Sequence, residues 1–168
     1  PFDAYSSMKY KAEKTAKNYS KYFDVVVLRY FFPYGPGTKK DSLINRLINN
    51  INKGKEITLH NGGKPVINPI FIDDLVGIVS SVTFNNYNGI LNVASGRSYT
   101  FHDILKALSG IIDFKFQVIS IPRTKRKVDH IYSNKALLQL LPDFVFTSLD
   151  EGVRYTFDAE FEKMDAIK

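Results

Sequence analysis

The run Val25-Val26-Val27-Leu28 is the feature that most limits what this chain can fold into. Four consecutive aliphatic residues, three of them β-branched, are typical of a parallel strand that is buried on both faces. Further predicted strands alternate with predicted helices along the rest of the chain. This alternation indicates an α/β fold and excludes a β-sandwich or a bundle of helices.

The helix starts are marked by residues that can accept hydrogen bonds from a first helical turn: Asp3, Asp41 or Ser42, Asp73 and Thr100. The predicted helices cover about residues 5–22, 43–53, 74–84, 101–108, 133–141 and 148–163. Short strands are predicted at 57–59, 70–72, 90–93 and 116–121. Asp103 follows Thr100 by three residues, which is the spacing of a capping box.

Composition excludes several classes of protein. The 168 residues are 44% hydrophobic, enough to bury a core, and they contain no run of 18 apolar residues that could cross a membrane. The absence of cysteine excludes disulfides, thiolate metal sites and cysteine nucleophiles, and agrees with a cytoplasmic protein. The three histidines are isolated in the sequence, so we expect no metal site.

The formal net charge of +6 raises the question of nucleic-acid binding. The densest basic run covers residues 123–127, and no helix-turn-helix, RNP or zinc-finger pattern accompanies it. A solvated loop is the ordinary interpretation, and an arginine that holds a substrate phosphate is the next. Binding to DNA is the least favoured of the three, so we expect no nucleic-acid partner.

Tyr5 and Lys9 lie four residues apart at the start of the first predicted helix. One helical turn places the phenol and the ammonium on one face. A cation held near a phenol favours the phenolate, which suits a group that transfers protons. The same spacing also occurs on ordinary helices.

Four further segments follow this pair: residues 28–37 (LRYFFPYGPG), 71–76 (FIDDLV), 89–96 (GILNVASG) and 149–154 (LDEGVR). Their order and spacing resemble the extended short-chain dehydrogenase/reductase family of NAD-dependent sugar epimerases and dehydratases. The resemblance covers the whole chain but only the second half of the family's length. The G-x-x-G-x-x-G turn that opens the family has no match here, so we expect the N-terminal Rossmann half to be missing.

The resemblance implies the C-terminal portion of a Rossmann-like parallel sheet together with a small α/β substrate-binding domain. Residues 1–36 and 73–113 would be the remnant of the NAD(P)-binding Rossmann domain. Residues 37–72 and 114–168 would form the substrate-binding subdomain. The full-length enzyme would be a homodimer.

The resemblance also implies roles for individual residues. Tyr5 would be the catalytic acid/base, and Lys9 would bind the nicotinamide ribose and favour the phenolate of Tyr5. Phe31 matches a position that contacts the nicotinamide side of the cofactor, although core packing is an equal alternative. The cofactor would be NAD, with NADP possible.

Substrate contacts are implied at Phe32, Ser42, Leu43 and Arg126, with Arg123 as the alternative arginine. Two positions depart from the family. Phe32 stands where the family has an asparagine that hydrogen-bonds the substrate, and Ile67 stands where many members have an arginine that grips a phosphate. These departures leave the identity of the substrate open.

The sequence therefore predicts the C-terminal part of an NAD-dependent nucleotide-sugar epimerase or dehydratase that is inactive alone. Two alternatives stay open within this scaffold: an NAD(P)-dependent reductase of a non-nucleotide substrate, and a non-catalytic relative that senses the cofactor. Epimerases, dehydratases and reductases differ mainly upstream of Tyr5, so the sequence does not choose among them.

Overall fold

The computed structural model describes residues 3–112, 116–124 and 128–165. The helices are α1 (Ala4–Asn18), α2 (Leu43–Asn52), α3 (Ile72–Phe84), α4 (Phe101–Ser109), α5 (Lys135–Leu140) and α6 (Leu149–Asp165). The strands are β1 (Val26–Tyr30), β2 (Pro33–Tyr34), β3 (Ile57–His60), β4 (Val66–Ile67), β5 (Ile70–Phe71), β6 (Gly89–Val93), β7 (Tyr99–Thr100) and β8 (Val118–Ile121). A 3-10 turn covers Asn61–Gly63.

The strands pair mainly in parallel, as the α/β prediction requires. In the described ranges β1 pairs with β6, β2 with β5 and β3 with β8 in parallel, whereas β4 and β7 are antiparallel. Leu28 lies opposite Leu91 in the longest pair. The predicted parallel strand at Val26 is therefore confirmed.

The burial of β1 is lower than the sequence predicts. Residues 26–29 are half-buried and Tyr30 is exposed. Within the described residues β6 is the strand that pairs with β1. A two-stranded sheet leaves part of an aliphatic strand uncovered, so the sequence pattern predicts more burial than this chain provides.

The buried side chains form two hydrophobic clusters. One joins α2, β3, α4 and α6 and includes the fully buried Ile48 and Ile104. The other joins β6, α3 and α5 and includes Leu91 and Ile78. Burial of one such aliphatic side chain stabilises a fold by about 1.5–3 kcal/mol.

The helix starts confirm two predicted caps and correct two others. Asp3 forms a capping box with Ser6, and Thr100 forms one with Asp103. Ser42 precedes α2 without a side-chain hydrogen bond to it. Asp73 does not cap α3, because β5 continues directly into that helix and leaves Phe71 at the N-cap.

The start of α3 has a different tertiary role. Asp74 lies in its first turn and accepts hydrogen bonds from the Thr147 amide at 3.0 Å and the Thr147 hydroxyl at 2.7 Å. The segment before α6 is thereby fastened to α3.

Among the described residues, no helix is long and apolar enough to cross a lipid bilayer.

Candidate active site

Tyr5 and Lys9 lie together on the first turns of α1, as their spacing predicts. The Lys9 ammonium is 5.7 Å from the centroid of the Tyr5 ring. The Tyr5 side chain is 70% exposed, and Lys9 is also exposed. Both groups can therefore be reached by a ligand or by another protein domain.

A buttressing ion pair fixes α1 to β1. Arg29 donates from Nε to Glu13 Oε1 at 2.8 Å and from Nη2 to Glu13 Oε2. Glu13 lies one helical turn beyond Lys9, so the anchor shares the face that carries the Tyr5–Lys9 pair. The hydrogen-bonded Arg29 guanidinium holds the pKa of Glu13 below its ordinary value.

A cavity of about 540 Å³ lies where β1 ends, beside β2 and the start of α2. Its lining residues are Tyr30, Phe32, Pro33, Tyr34, Gly37, Thr38, Lys39, Ser42, Leu43, Ile44, Ile67, Ile72 and Leu75. The predicted substrate residues Phe32, Ser42 and Leu43 thus meet at one cavity. Arg126 lies outside the described residues.

The cavity wall is mainly aromatic and aliphatic, and Lys39 is the charged residue in its lining. The Ser42 hydroxyl is buried and has no hydrogen-bond partner among the residues described. A buried hydroxyl without a partner is costly, so a bound molecule that hydrogen-bonds to Ser42 gains affinity there. Ile67 contributes an alkyl group where a phosphate-binding arginine was the family expectation.

Two polar residues that the sequence did not reveal hold the loop beside this cavity. The Thr38 hydroxyl donates to the Gly35 carbonyl at 2.8 Å and lies 3.1 Å from Asn45 Oδ1. Asn45 is fully buried on α2. The sequence feature that could have pointed to Asn45 is an asparagine within the apolar stripe of a helix, because a buried amide needs a hydrogen-bond partner.

Tyr34 is a buried aromatic residue in the lining of the cavity. Its side chain is 3% exposed and meets the Phe71 ring edge-on, with centroids 5.6 Å apart. Burial raises the pKa of Tyr34, and the nearby carboxylate of Asp74 raises it further. Tyr34 is therefore a neutral phenol.

Phe31 and Phe32 both contact a segment far along the chain. Phe31 stacks on Tyr132 with ring centroids 3.6 Å apart and an interplanar angle of 8°. Phe32 packs edge-on against His130 at 5.0 Å. His130 is isolated in sequence, and only the fold brings it to this position.

A search of known proteins identifies relatives of the chain. The family model described as "NAD dependent epimerase/dehydratase family" matches residues 1–94. The chain is 28% identical over 176 residues to a UDP-glucuronate 4-epimerase of Thermodesulfobacterium geofontis, covering 100% of this chain and 53% of that protein. It is 29% identical over 164 residues to an ADP-L-glycero-D-manno-heptose-6-epimerase of Brachyspira hyodysenteriae, covering 91% and 49%.

Solved structures show the same fold. UDP-glucuronic acid 4-epimerase from Bacillus cereus, in complex with UDP-glucuronic acid and NAD, superposes with a TM-score of 0.86 at 22% identity, covering 97% of this chain and 54% of that one. UDP-N-acetylglucosamine 4-epimerase from Methanobrevibacter ruminantium gives 0.85 at 22% identity, covering 98% and 55%.

The chain spans about half the length of the curated relatives that it matches. The family match nevertheless extends over more than half of its own 168 residues. Its parallel strands, its two hydrophobic clusters and its motif order agree with that match. The chain belongs to the NAD-dependent epimerase/dehydratase family.

Proposed function

We propose that this chain supplies the Tyr–Lys pair and the substrate-binding part of an NAD-dependent nucleotide-sugar epimerase or dehydratase. The observation that carries the proposal is the meeting of Phe32, Ser42 and Leu43 at one cavity. The relatives support the substrate class, because their names describe enzymes of nucleotide sugars.

In this proposal Tyr5 transfers the proton and Lys9 assists it. Tyr5 accepts a proton from a sugar hydroxyl, and the exposed phenol has the access that this requires. Lys9 stabilises the phenolate form of Tyr5 that takes up this proton, and it donates to a ribose hydroxyl of the dinucleotide. The bound NAD supplies the hydride acceptor.

The residues present fit only part of a dinucleotide site. Tyr5 and Lys9 offer exposed polar groups that suit a nicotinamide ribose, and Phe31 offers an aromatic ring. The sequence contains no G-x-x-G-x-x-G turn to cradle a pyrophosphate. We therefore propose that a nucleotide-binding half completes the enzyme and that this chain alone is inactive.

We further propose that residues 1–36 and 73–113 belong with the nucleotide-binding domain, and residues 37–72 and 114–168 with the substrate-binding subdomain. The hydrophobic cluster shared by β6 and α3, against which β1 packs, supports the first group. The cluster that contains α2 and β3 supports the second. The buried face of α4 packs into that second cluster and so joins the two parts.

The exposed apolar groups on α1 support a further association. Tyr5 and Met8 are each 70% exposed. Contiguous apolar surface is typical of an interface. We propose that α1 contacts the nucleotide-binding half and that the full-length enzyme is a homodimer.

A reductase of a non-nucleotide substrate is the second candidate. The observation that favours it is the mainly aromatic and aliphatic cavity, in which Ile67 and Phe32 replace a guanidinium and an amide. Turnover of the full-length protein with NAD or NADP distinguishes the two. The nucleotide sugars to be assayed are UDP-glucose, UDP-glucuronate and dTDP-glucose. Their products are resolved by chromatography and NMR.

A variant that fills the cavity tests the assignment. We expect Leu43→Trp in the full-length enzyme to raise the KM for the nucleotide sugar at least tenfold while leaving the affinity for NAD unchanged. Val145→Trp is the control, because Val145 is 86% exposed and lies outside the cavity lining. An unchanged KM in the Leu43 variant would contradict the assignment of this cavity to the substrate. Micromolar NAD binding by this chain alone would contradict the proposal that a nucleotide-binding half completes the enzyme.

A further inference from the structure

The segment from residue 129 to 134 crosses the end of β1 and is tied to strands on both sides. The His130 amide donates to the Val66 carbonyl on β4 at 2.9 Å, and the Val66 amide donates to Asp129 Oδ1 at 3.0 Å. On the other side, Asn92 of β6 donates to the Ser133 carbonyl at 3.1 Å. We call residues 129–134 the strap.

A second amide strengthens the connection to β6. Asn134 Nδ2 donates to the Ala94 carbonyl at 3.0 Å. Gly96 accommodates this contact, since a Cβ there would lie 3.0 Å from Asn134 Nδ2. The strap is therefore held by backbone and side-chain hydrogen bonds that do not involve its aromatic rings.

The strap presents two rings to two consecutive phenylalanines. Tyr132 covers a face of Phe31 in a parallel stack, and His130 meets Phe32 at an interplanar angle of 78°. His130 Nδ1 and the Tyr132 hydroxyl are 2.9 Å apart, so the two strap rings also fix each other. Ile131, between them, is 70% exposed.

Phe32 needs such support because of its backbone. Its φ of +45° lies in the left-handed region, where the backbone of a bulky residue is strained. Asparagine enters this region more easily than phenylalanine does. In this chain the ring of Phe32 is held by His130 and by packing against the hydrophobic cluster that joins α2, β3, α4 and α6.

We propose that His130 and Tyr132 are positioning residues that fix the wall of the substrate cavity: His130 acts through the lining residue Phe32, and Tyr132 acts through Phe31, the residue beside it in sequence. The inference rests on the proposed function, since it assigns that cavity to the substrate. Phe32 lines the cavity directly, and Ile67, which follows the strap's partner Val66, lines it as well. The strap thereby sets the separation of two cavity walls without contacting the substrate itself.

The experiment uses the full-length enzyme and whichever of UDP-glucose, UDP-glucuronate and dTDP-glucose the wild type turns over best. We expect Tyr132→Leu and His130→Ala each to raise the KM for that nucleotide sugar about tenfold, with kcat changed less than threefold. His130→Ala should also leave the NAD affinity within threefold of wild type, because its partner Phe32 lines the substrate cavity. Tyr132→Phe keeps the stack and should restore a KM within threefold of wild type. Ile131→Ala is the matched control from the same segment and should leave all parameters unchanged.

The outcomes separate the two proposals. If the wild type is active and Tyr132→Leu behaves like Ile131→Ala, the inference is wrong and the proposed function stands. If kcat and NAD affinity fall and the KM rises in step with a lower melting temperature, the strap is only structural and the inference is again wrong. If the wild type turns over none of the nucleotide sugars, the proposed function fails, and the inference fails with it.

If Tyr132→Leu does not fold, Phe31→Leu removes the same stack from the β1 side and should itself raise the KM about tenfold. Where both variants fold, Phe31→Leu should not add to the KM effect of Tyr132→Leu when the two are combined. Additive effects of the two substitutions would show that the rings act independently, which contradicts the inference. NMR provides an independent readout, because stacking shifts the Phe31 ring protons upfield and Tyr132→Leu should abolish that shift.

Discussion

Arg29 on β1 donates hydrogen bonds to both carboxylate oxygens of Glu13 on α1. Every residue of α1 is at least partly exposed, so few packing contacts hold this helix in place. The ion pair therefore sets where the Tyr5–Lys9 face lies relative to β1. Two residues beyond Arg29 the chain reaches Phe31, and the next residue, Phe32, lines the cavity.

Removing the anchor should loosen α1 more than the rest of the fold. We expect Glu13→Gln to lower the free energy of unfolding by about 1 kcal/mol, because it removes a bidentate charge-assisted contact. Hydrogen exchange should accelerate in α1 and remain unchanged in α2. Glu56→Gln, at an exposed glutamate, is the control. Equal exchange rates in α1 of both variants would show that Glu13 does not anchor the helix.

The anchor also predicts a dependence on pH. The pKa of Glu13 is lowered in the folded chain, first by the hydrogen bond from Arg29. Its stabilising contribution is therefore complete above the ordinary glutamate pKa of about 4.3 and is lost as pH falls through the lowered value. Denaturation at pH 7 and at successively lower pH should show the wild type and Glu13→Gln converging in acid. A difference that persists at the lowest pH would contradict this linkage.

Gly152 on α6 allows Tyr34 to approach that helix. A Cβ at residue 152 would overlap the Tyr34 hydroxyl and lie 3.0 Å from Tyr34 Cζ. We expect Gly152→Ala to destabilise the fold by about 1–3 kcal/mol and to displace Tyr34 from the cavity wall.

Gly77 on α3 provides the matched control for this overlap. A Cβ there would meet Phe144 at an ordinary 3.6 Å. Gly77→Ala should be neutral or stabilising by up to about 1 kcal/mol, because alanine favours a helix. Urea denaturation checks both variants, and equal stability of the two would refute the close approach of Tyr34.

Asp74 is predicted to stabilise the fold rather than to take part in catalysis. Its carboxylate is largely buried and joins α3 to Thr147, while burial raises its pKa against the opposing effect of those hydrogen bonds. Asp74→Ala should cost about 2 kcal/mol, since it leaves the Thr147 amide without this partner. Asp73→Ala, at the exposed neighbour, should change stability by less than about 0.5 kcal/mol. Similar losses for both would indicate a helix-start effect rather than the contact with Thr147.

Local chemistry made part of this fold predictable. The spacing of Tyr5 and Lys9 determines that they share a helix face, and the Thr100–Asp103 capping box is a contact within one turn. The aliphatic run predicted a parallel strand, and β1 pairs in parallel with β6. It overstated the burial of β1, because strand burial depends on neighbouring strands and helices outside the pattern.

Contacts between distant parts of the chain could not be predicted in this way. Asp74 and Thr147 are separated by 73 positions, and no local pattern links an aspartate in the first turn of a helix to a threonine so far along the chain. His130 gave no signal in sequence, since its partners Phe32 and Tyr132 are aromatic residues with no special spacing. The resemblance to a family named three residues that line the cavity, Phe32, Ser42 and Leu43, whereas the strap beside Phe32 required the three-dimensional structure.

The most direct test of the proposed chemistry is the turnover of Tyr5→Phe in the full-length enzyme, measured together with its affinity for NAD. The substitution removes one hydroxyl from an exposed ring and leaves the ring beside Lys9. We expect kcat to fall at least a thousandfold while NAD binds with wild-type affinity, because general acid/base catalysis contributes about 10²–10⁴-fold and Tyr5 is proposed as the acid/base. Retention of more than a tenth of wild-type kcat would contradict the proposal that Tyr5 transfers the proton.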